Sequence, residues 1–235
     1  MKNLVYNITI PNLILSFIPL AVVIGIYAKW SLKPFAALYA TIRMVLQLIA
    51  IGFALKWIFG TSSPWIVCAI LLVMLLFASW IALGPVAGER LKLLPAAFLA
   101  ISIGGISTLA LAGGWVIRLD PWYDARYLIP IAGMIFAQCM NGVSLAADRS
   151  KAELARGSSL REARAAALQT ALLPITNNFL AVGLVSLPGM MTGQILAGVS
   201  PLIAVRYQIM VMAALFGSTG ISAALFLLLE GRIKK

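Results

Sequence analysis

Apolar runs of membrane-crossing length recur along the whole chain, and this constrains the fold more than any other feature of the sequence. Crossing a bilayer as a helix takes about 20 mostly apolar residues. Seven segments qualify: 12–28, 35–58, 64–83, 93–117, 127–147, 167–186 and 204–229. Pro34, Pro64, Pro121 and the Gly84-Pro85 pair mark breaks between them. The chain is 62% hydrophobic and 11% charged. A soluble domain carries about 25% charged residues, so this one could not cover its surface with polar groups in water. The expected fold is all-α, a polytopic membrane bundle of about seven helices forming one transmembrane domain over residues 1–235 of a multi-pass protein of the cell membrane. Met1-Lys2 ahead of an apolar run is reminiscent of a signal peptide. The run 12–28 is long for one, however, and no A-x-A site follows it, so it reads as the first span.

The net charge of +11 would suggest a nucleic-acid partner for a soluble chain. Here loop position accounts for it. Alternate loops put Lys29, Lys33, Arg90, Lys92, Arg149, Lys151, Arg156, Arg161, Arg164, Arg232, Lys234 and Lys235 on one side. Lys2, Lys56, Arg118, Arg126 and Arg206 fall on the other, and Arg43 alone lies inside a span. Positive loops stay in the cytoplasm, which predicts an outer N-terminus, an inner C-terminus and no role for nucleic acid.

Polar groups inside the spans are the candidates for function. Arg43 lies about 13 Å into the second span at ~1.5 Å per residue, with Gln47 one turn on. A charge at that depth costs at least about 2.5–3.5 kcal/mol, so it should face protein or a wet cavity. Either it hydrogen-bonds backbone carbonyls or snorkels, or it attracts an anion into a pathway. Gln138, Asn141 and Ser144 share one face of the fifth span. Such stripes serve as helix glue more often than as solute contacts. Pro174 and Asn177-Asn178 make the sixth span too polar to face lipid. Residues 184–201 hold two prolines, three glycines and no charge. Irregular backbone of that kind at membrane depth needs protein or water around it, which fits a re-entrant or gate-forming segment. Its Met190, Met191, Thr192 and Gln194 join the pathway candidates, and the two thioethers are weak metal candidates that more ordinarily serve packing. Cys68 and Cys139, in apolar runs without CxxC spacing, are expected to be buried.

The segment 149–174 reads as a short basic amphipathic helix, a break at Gly157-Ser158-Ser159 and a second helix. Ser159 and Glu162 have the spacing of a capping box. Such a segment either lies on anionic lipid or docks a cytosolic partner. There is no histidine and no G-x-x-x-x-G-K-[ST] loop, and all seven acids map to loops or span ends. No catalytic residue is therefore expected, nor any cofactor bound by this chain.

IRMVLQLIAIGFALKWIF (42–59), IPIAGMIF (129–136), LVSLPGMMTGQILAG (184–198) and AVRYQIMVM (204–212) resemble the FetB-type permeases over nearly the whole chain. These are membrane subunits of an ATP-binding-cassette system associated with iron export, with plant relatives linked to aluminium tolerance and, in one case, nucleotide-sugar transport. The resemblance implies a homodimer of permease chains in membrane lipid, served by a cytosolic ATPase subunit that binds ATP and Mg. It also implies a coupling segment at about 149–166, here Glu153, Gly157, Ser158, Arg161 and Glu162. Arg156 and Ser158 stand where the family prefers Leu and Ala, and Gln138 where it has Asn.

The resemblance implies iron export. The residues themselves place a cation, Arg43, as the one ionisable group at depth. A bare Fe²⁺ prefers carboxylate, imidazole or thiolate ligands. An anionic solute such as a nucleotide sugar, or a metal carried as a complex, suits that interior better. A secondary transporter would ordinarily carry an intramembrane carboxylate, and a membrane scaffold would have no use for a docking segment.

Overall fold

The computed structural model describes residues 7–60 and 63–233. Among them helices are joined by short turns and loops, with no strand beyond one isolated bridge between Val182 and Ser186. Two compact units are present, residues 1–60 and 61–235. Of the charges used for orientation, Lys2, Lys234 and Lys235 lie outside the described residues.

In the first unit the expected first span is two helices, α1 (Ile10–Leu15) and α2 (Ile18–Lys29). Pro19 has no N–H to offer the Leu15 carbonyl, and the chain turns there, with the Ser16 hydroxyl donating to Leu13 O at 2.6 Å. The second span is α3 (Pro34–Ile58), with proline at a helix start, where its missing N–H costs nothing.

The second unit is built on α4 (Pro64–Ala82), α5 (Arg90–Ala110), α6 (Ala125–Ala155), α7 (Leu160–Ala181) and α9 (Pro201–Ile233), with the short α8 (Gly189–Leu196) between the last two. A π-helical turn, Leu111–Ile117, extends α5. Among the described residues, six helical runs are long and apolar enough to cross a membrane: Ile10–Lys29, Pro34–Leu55, Pro64–Ala82, Ala87–Ile117, Ala125–Ala155 and Pro201–Ile233. The seventh long helix, α7, is more polar, as its Asn177 and Asn178 foretell. The expected all-α class is thus what the chain forms, with six membrane-crossing candidates among the described residues and α7 as a further long helix.

Small side chains let α9 run close against its neighbours. Ala97, Ala100 and Cys139 on α5 and α6, and Ser218, Ser222 and Ala223 on α9, are wholly buried. Close backbone approach of this kind is the main source of helix association in lipid, where apolar burial gives no advantage. Gly142 on α6 is the tightest case beside the polar site below. A Cβ there would stand 2.6 Å from Thr219 Cγ2.

Two expectations are corrected. Cys139 is buried, but Cys68 is exposed on α4, because an apolar span has a lipid side as well as a packed one. Residues 149–155 do not form a separate short helix. They are the last two turns of α6, which continues unbroken from Ala125, with no glycine or proline between Gly142 and Gly157 to interrupt it.

Candidate functional site

A polar cavity of about 450 Å³ opens between α6, α7 and α9. Gln138, Asn141 and Ser144 line it from α6, Pro174 and Asn178 from α7, and Thr219 from α9. The i, i+3, i+6 spacing read from the sequence puts the three α6 residues on one face. Pro174 and Asn178 are one turn apart on α7 and meet them there. Asn141 Nδ2 lies 3.5 Å from Gln138 Oε1, a long hydrogen bond that leaves most of both amides' capacity for something else. The Thr219 hydroxyl is already committed to Leu215 O at 2.6 Å. Every polar group in this lining is neutral, offering amide and hydroxyl donors and acceptors. Among the described residues no three His, Cys, Asp or Glu side chains converge on a metal-sized point. Asn141, Asn177 and Asn178 are exposed at the surface of the unit. Amides at membrane depth face protein or water, not lipid tails.

At one end of the bundle, α6 and α7 meet in a turn fixed from both sides. Gly157 takes φ +85°, a left-handed conformation that costs glycine least. Its N–H donates to Leu154 O at 3.1 Å, and that of Ser158 to Glu153 O at 3.2 Å, the Schellman closure of a helix. Glu153 then gathers its neighbours. Arg149 Nη2 lies at 2.7 Å, Arg156 Nη1 at 3.3 Å, and the Ser158 hydroxyl donates to it at 2.9 Å. On the far side the expected capping box is formed. Glu162 N donates to the Ser159 hydroxyl at 3.3 Å, and Ser159 N to the Glu162 carboxylate at 2.9 Å. Hydrogen bonds from the Ser159 side chain, and then its backbone, hold the Glu162 carboxyl below its usual value of 4.5. Arg161 stands exposed beside it. All five residues singled out for coupling therefore lie in or beside one pre-shaped corner.

Behind that corner is a cluster that the sequence did not announce. Glu230, 2% exposed near the end of α9, accepts a hydrogen bond at 3.0 Å from the buried Ser150 hydroxyl of α6. Arg164 of α7 donates from Nε to Leu227 O at 3.1 Å and from Nη2 to Leu228 O at 3.5 Å. A cation beside the last turns of a helix is well placed against the negative end of its dipole. Both arms of the corner thus hold the last turns of α9. From sequence, Glu230 is one more acid at a span end, and nothing local tells that it is buried.

Of the other pathway candidates, those on α8 do not line the polar cavity. Arg43, half-buried, and Gln47, exposed, share a face of α3 in the first unit. Met190, Met191, Thr192 and Gln194 lie on α8, so the segment 184–201 is partly helical, not wholly irregular. Thr192 donates to Pro188 O at 3.1 Å, closing the first turn of α8. The buried Gln194 Oε1 has no partner. Met191 lines a second, apolar cavity of about 400 Å³ with residues of α7 and α9. Asn178 and Thr219 add to the pathway candidates: Asn178 shows in the sequence as a polar residue in a span, whereas Thr219 carries no signal of its own.

The sequence matches, over residues 10–233, the family described as Uncharacterised protein family (UPF0014). A UPF0014 membrane protein of Synechocystis sp. is 36% identical over 192 residues, 74% of this chain and 73% of the relative. The rice UPF0014 membrane protein STAR2 is 36% identical over 206 residues, covering 80% of this chain and 70% of its own. The probable iron export permease protein FetB of Escherichia coli is 31% identical over 238 residues, 92% of this chain and 88% of its own. No solved structure matches the chain.

Proposed function

The chain belongs to the UPF0014 family of multi-pass membrane proteins, and from that premise we propose that it is the membrane-spanning permease subunit of an ATP-binding-cassette transporter. The observation that carries this reading is the polar cavity between α6, α7 and α9. A lining of neutral amides and hydroxyls inside membrane-crossing helices suits a solute that must be held and then released. ATP and Mg would be bound by a separate cytosolic subunit seated against Glu153, Gly157, Ser158, Arg161 and Glu162. In that role the corner's two caps matter, because a docking element fixed in advance loses little freedom on binding. Two permease chains would pair in the lipid, covering Asn141, Asn177 and Asn178. The proposed orientation puts the corner and the C-terminus in the cytoplasm.

The name of the E. coli relative suggests exported iron as the solute. The character of the lining favours a second reading. Gln138, Asn141, Ser144 and Asn178 supply hydrogen bonds but no anionic ligand, so a bare Fe²⁺ would lose more hydration than they replace. An anionic solute such as a nucleotide sugar, or iron carried as a complex, fits them better, and Arg43, a cation within the second span, is proposed separately as an anion-attracting group.

The test is ATP hydrolysis by the chain co-reconstituted in nanodiscs with its candidate ATPase, with Fe²⁺ and a nucleotide-sugar panel added separately. Stimulation by one solute, lost in Asn141→Leu, supports the cavity as its site. Full transport of an anionic solute by Arg43→Glu would sink the role given to Arg43. If no ATPase co-purifies and hydrolysis is indifferent to the permease, the cassette-transporter reading fails.

A further inference from the structure

Away from both cavities described above, an apolar groove of about 630 Å³ runs between α4 and α5. Val73, Leu76, Phe77 and Trp80 wall it from α4, and Leu94 and Phe98 from α5. The four α4 side chains are about half exposed, so the groove opens at the surface of the unit. From Arg90 to Phe98 α5 rises roughly 12 Å, within the about 15 Å of hydrocarbon that one leaflet provides.

One end of the groove is charged. The Arg90 guanidinium lies over the Trp80 ring, with Cζ 4.6 Å from its centroid. Both residues stand near the ends of their membrane-crossing runs, Pro64–Ala82 and Ala87–Ile117, the level at which tryptophan meets headgroups. Arg90 and Lys92 occupy the first turn of α5, which contains no acid. Cations there face the positive end of the helix dipole, which favours an anion instead. Among the described residues no carboxylate lies within ion-pairing distance of Arg90. Glu89 is the one acid in the stretch 83–92, which keeps a net positive charge. Of the guanidinium nitrogens, Nε alone is enclosed without an acceptor, and Nη1 and Nη2 carry the four N–H groups left to meet a ligand.

The occupant must answer both the walls and the charge. A free inorganic anion meets the cations and leaves the walls uncovered. A zwitterionic lipid covers the walls but brings its own ammonium into the positive field. We propose that the groove between α4 and α5 holds an anionic phospholipid, its phosphate accepting from the Nη groups of Arg90 and one acyl chain lying along Leu76, Phe77, Leu94 and Phe98. Lys92, exposed on the same turn, adds to the attraction. This site needs neither the polar cavity nor an ATPase, so it stands or falls apart from the transport reading.

Two photoreactive lipids with the same diazirine-bearing acyl chain, a phosphatidylglycerol and a phosphatidylcholine, test this on the full chain in phosphatidylcholine nanodiscs. Cross-links are mapped by mass spectrometry and normalised to those elsewhere on the chain, which removes any general attraction of the anionic lipid to a basic protein. In the wild type the anionic lipid should label segments 73–80 and 94–98 at least about fivefold more than the zwitterionic one, the value of one basic residue engaged. Arg90→Gln/Lys92→Gln should bring the two lipids level there, whereas Arg118→Gln, beyond the far end of α5, should leave the preference intact. Equal labelling of the wild-type segments by both lipids overturns the proposal without recourse to any variant. So does absence of labelling there, as when a second copy of the chain or a protein partner covers the groove. A preference that survives the loss of both cations overturns it as well.

Discussion

Gly157 and Glu162 show how much a turn between two membrane helices depends on single residues. Gly157 holds a conformation that a Cβ disfavours, so Gly157→Ala should destabilise the chain by about 1 kcal/mol, read as a lower Tm in detergent. Glu162 carries a pH signature. Its carboxyl is held below 4.5 in the folded chain, so its contribution is complete above the unfolded value and disappears as pH falls through the lower folded one. Glu162→Gln keeps a capping side chain without the charge. The Tm difference between wild type and this variant should therefore be largest near neutral pH and vanish under acid, and a difference that does not depend on pH would refute it. These residues were legible in the sequence because a cap is local: S-x-x-E, and a glycine four residues after Glu153, need no knowledge of the rest of the fold.

Between elements, the contacts of α9 with α6 and α7 govern the site, and here the sequence says less. The apolar spans and their proline-marked starts could be read from composition, since length and hydropathy are properties of each segment alone. Which face of α9 meets which neighbour is not, because small residues lie all around it and leave no single apolar stripe. Thr219 and Glu230 acquire their roles only from the helices beside them. Gly142→Val should force α6 from Thr219 and cost about 1–3 kcal/mol, as overpacking does. Ser150→Ala removes a buried donor from the Glu230 carboxylate, with an expected loss of about 1.5–3 kcal/mol. Chemical denaturation in mixed micelles measures both. A Ser150→Ala chain as stable as wild type would mean that the remaining contacts of Glu230 suffice.

For the molecule as a whole, the charge asymmetry between loops predicts which way the chain lies in the membrane. In a Cys68→Ser/Cys139→Ser background, Arg161→Cys should react with an impermeant maleimide only in inside-out vesicles, and Arg118→Cys only in right-side-out ones. The reverse pattern would invert the orientation. The unbroken course of α6 adds a consequence for reach and leverage. Its 31 residues span roughly 46 Å at 1.5 Å per residue, against a hydrocarbon layer of about 30 Å. The excess is enough to carry the corner clear of the headgroups, where a soluble partner would meet it without entering lipid. Between Glu153 and Gln138 the helix contains no proline and acts as a stiff rod of about 22 Å. Tipping such a rod by about 10° swings one end past the other by roughly 4 Å, more than the width of a water molecule. A push too small to unfold anything at the corner would thus be large enough to change what the amides of α6 can hold.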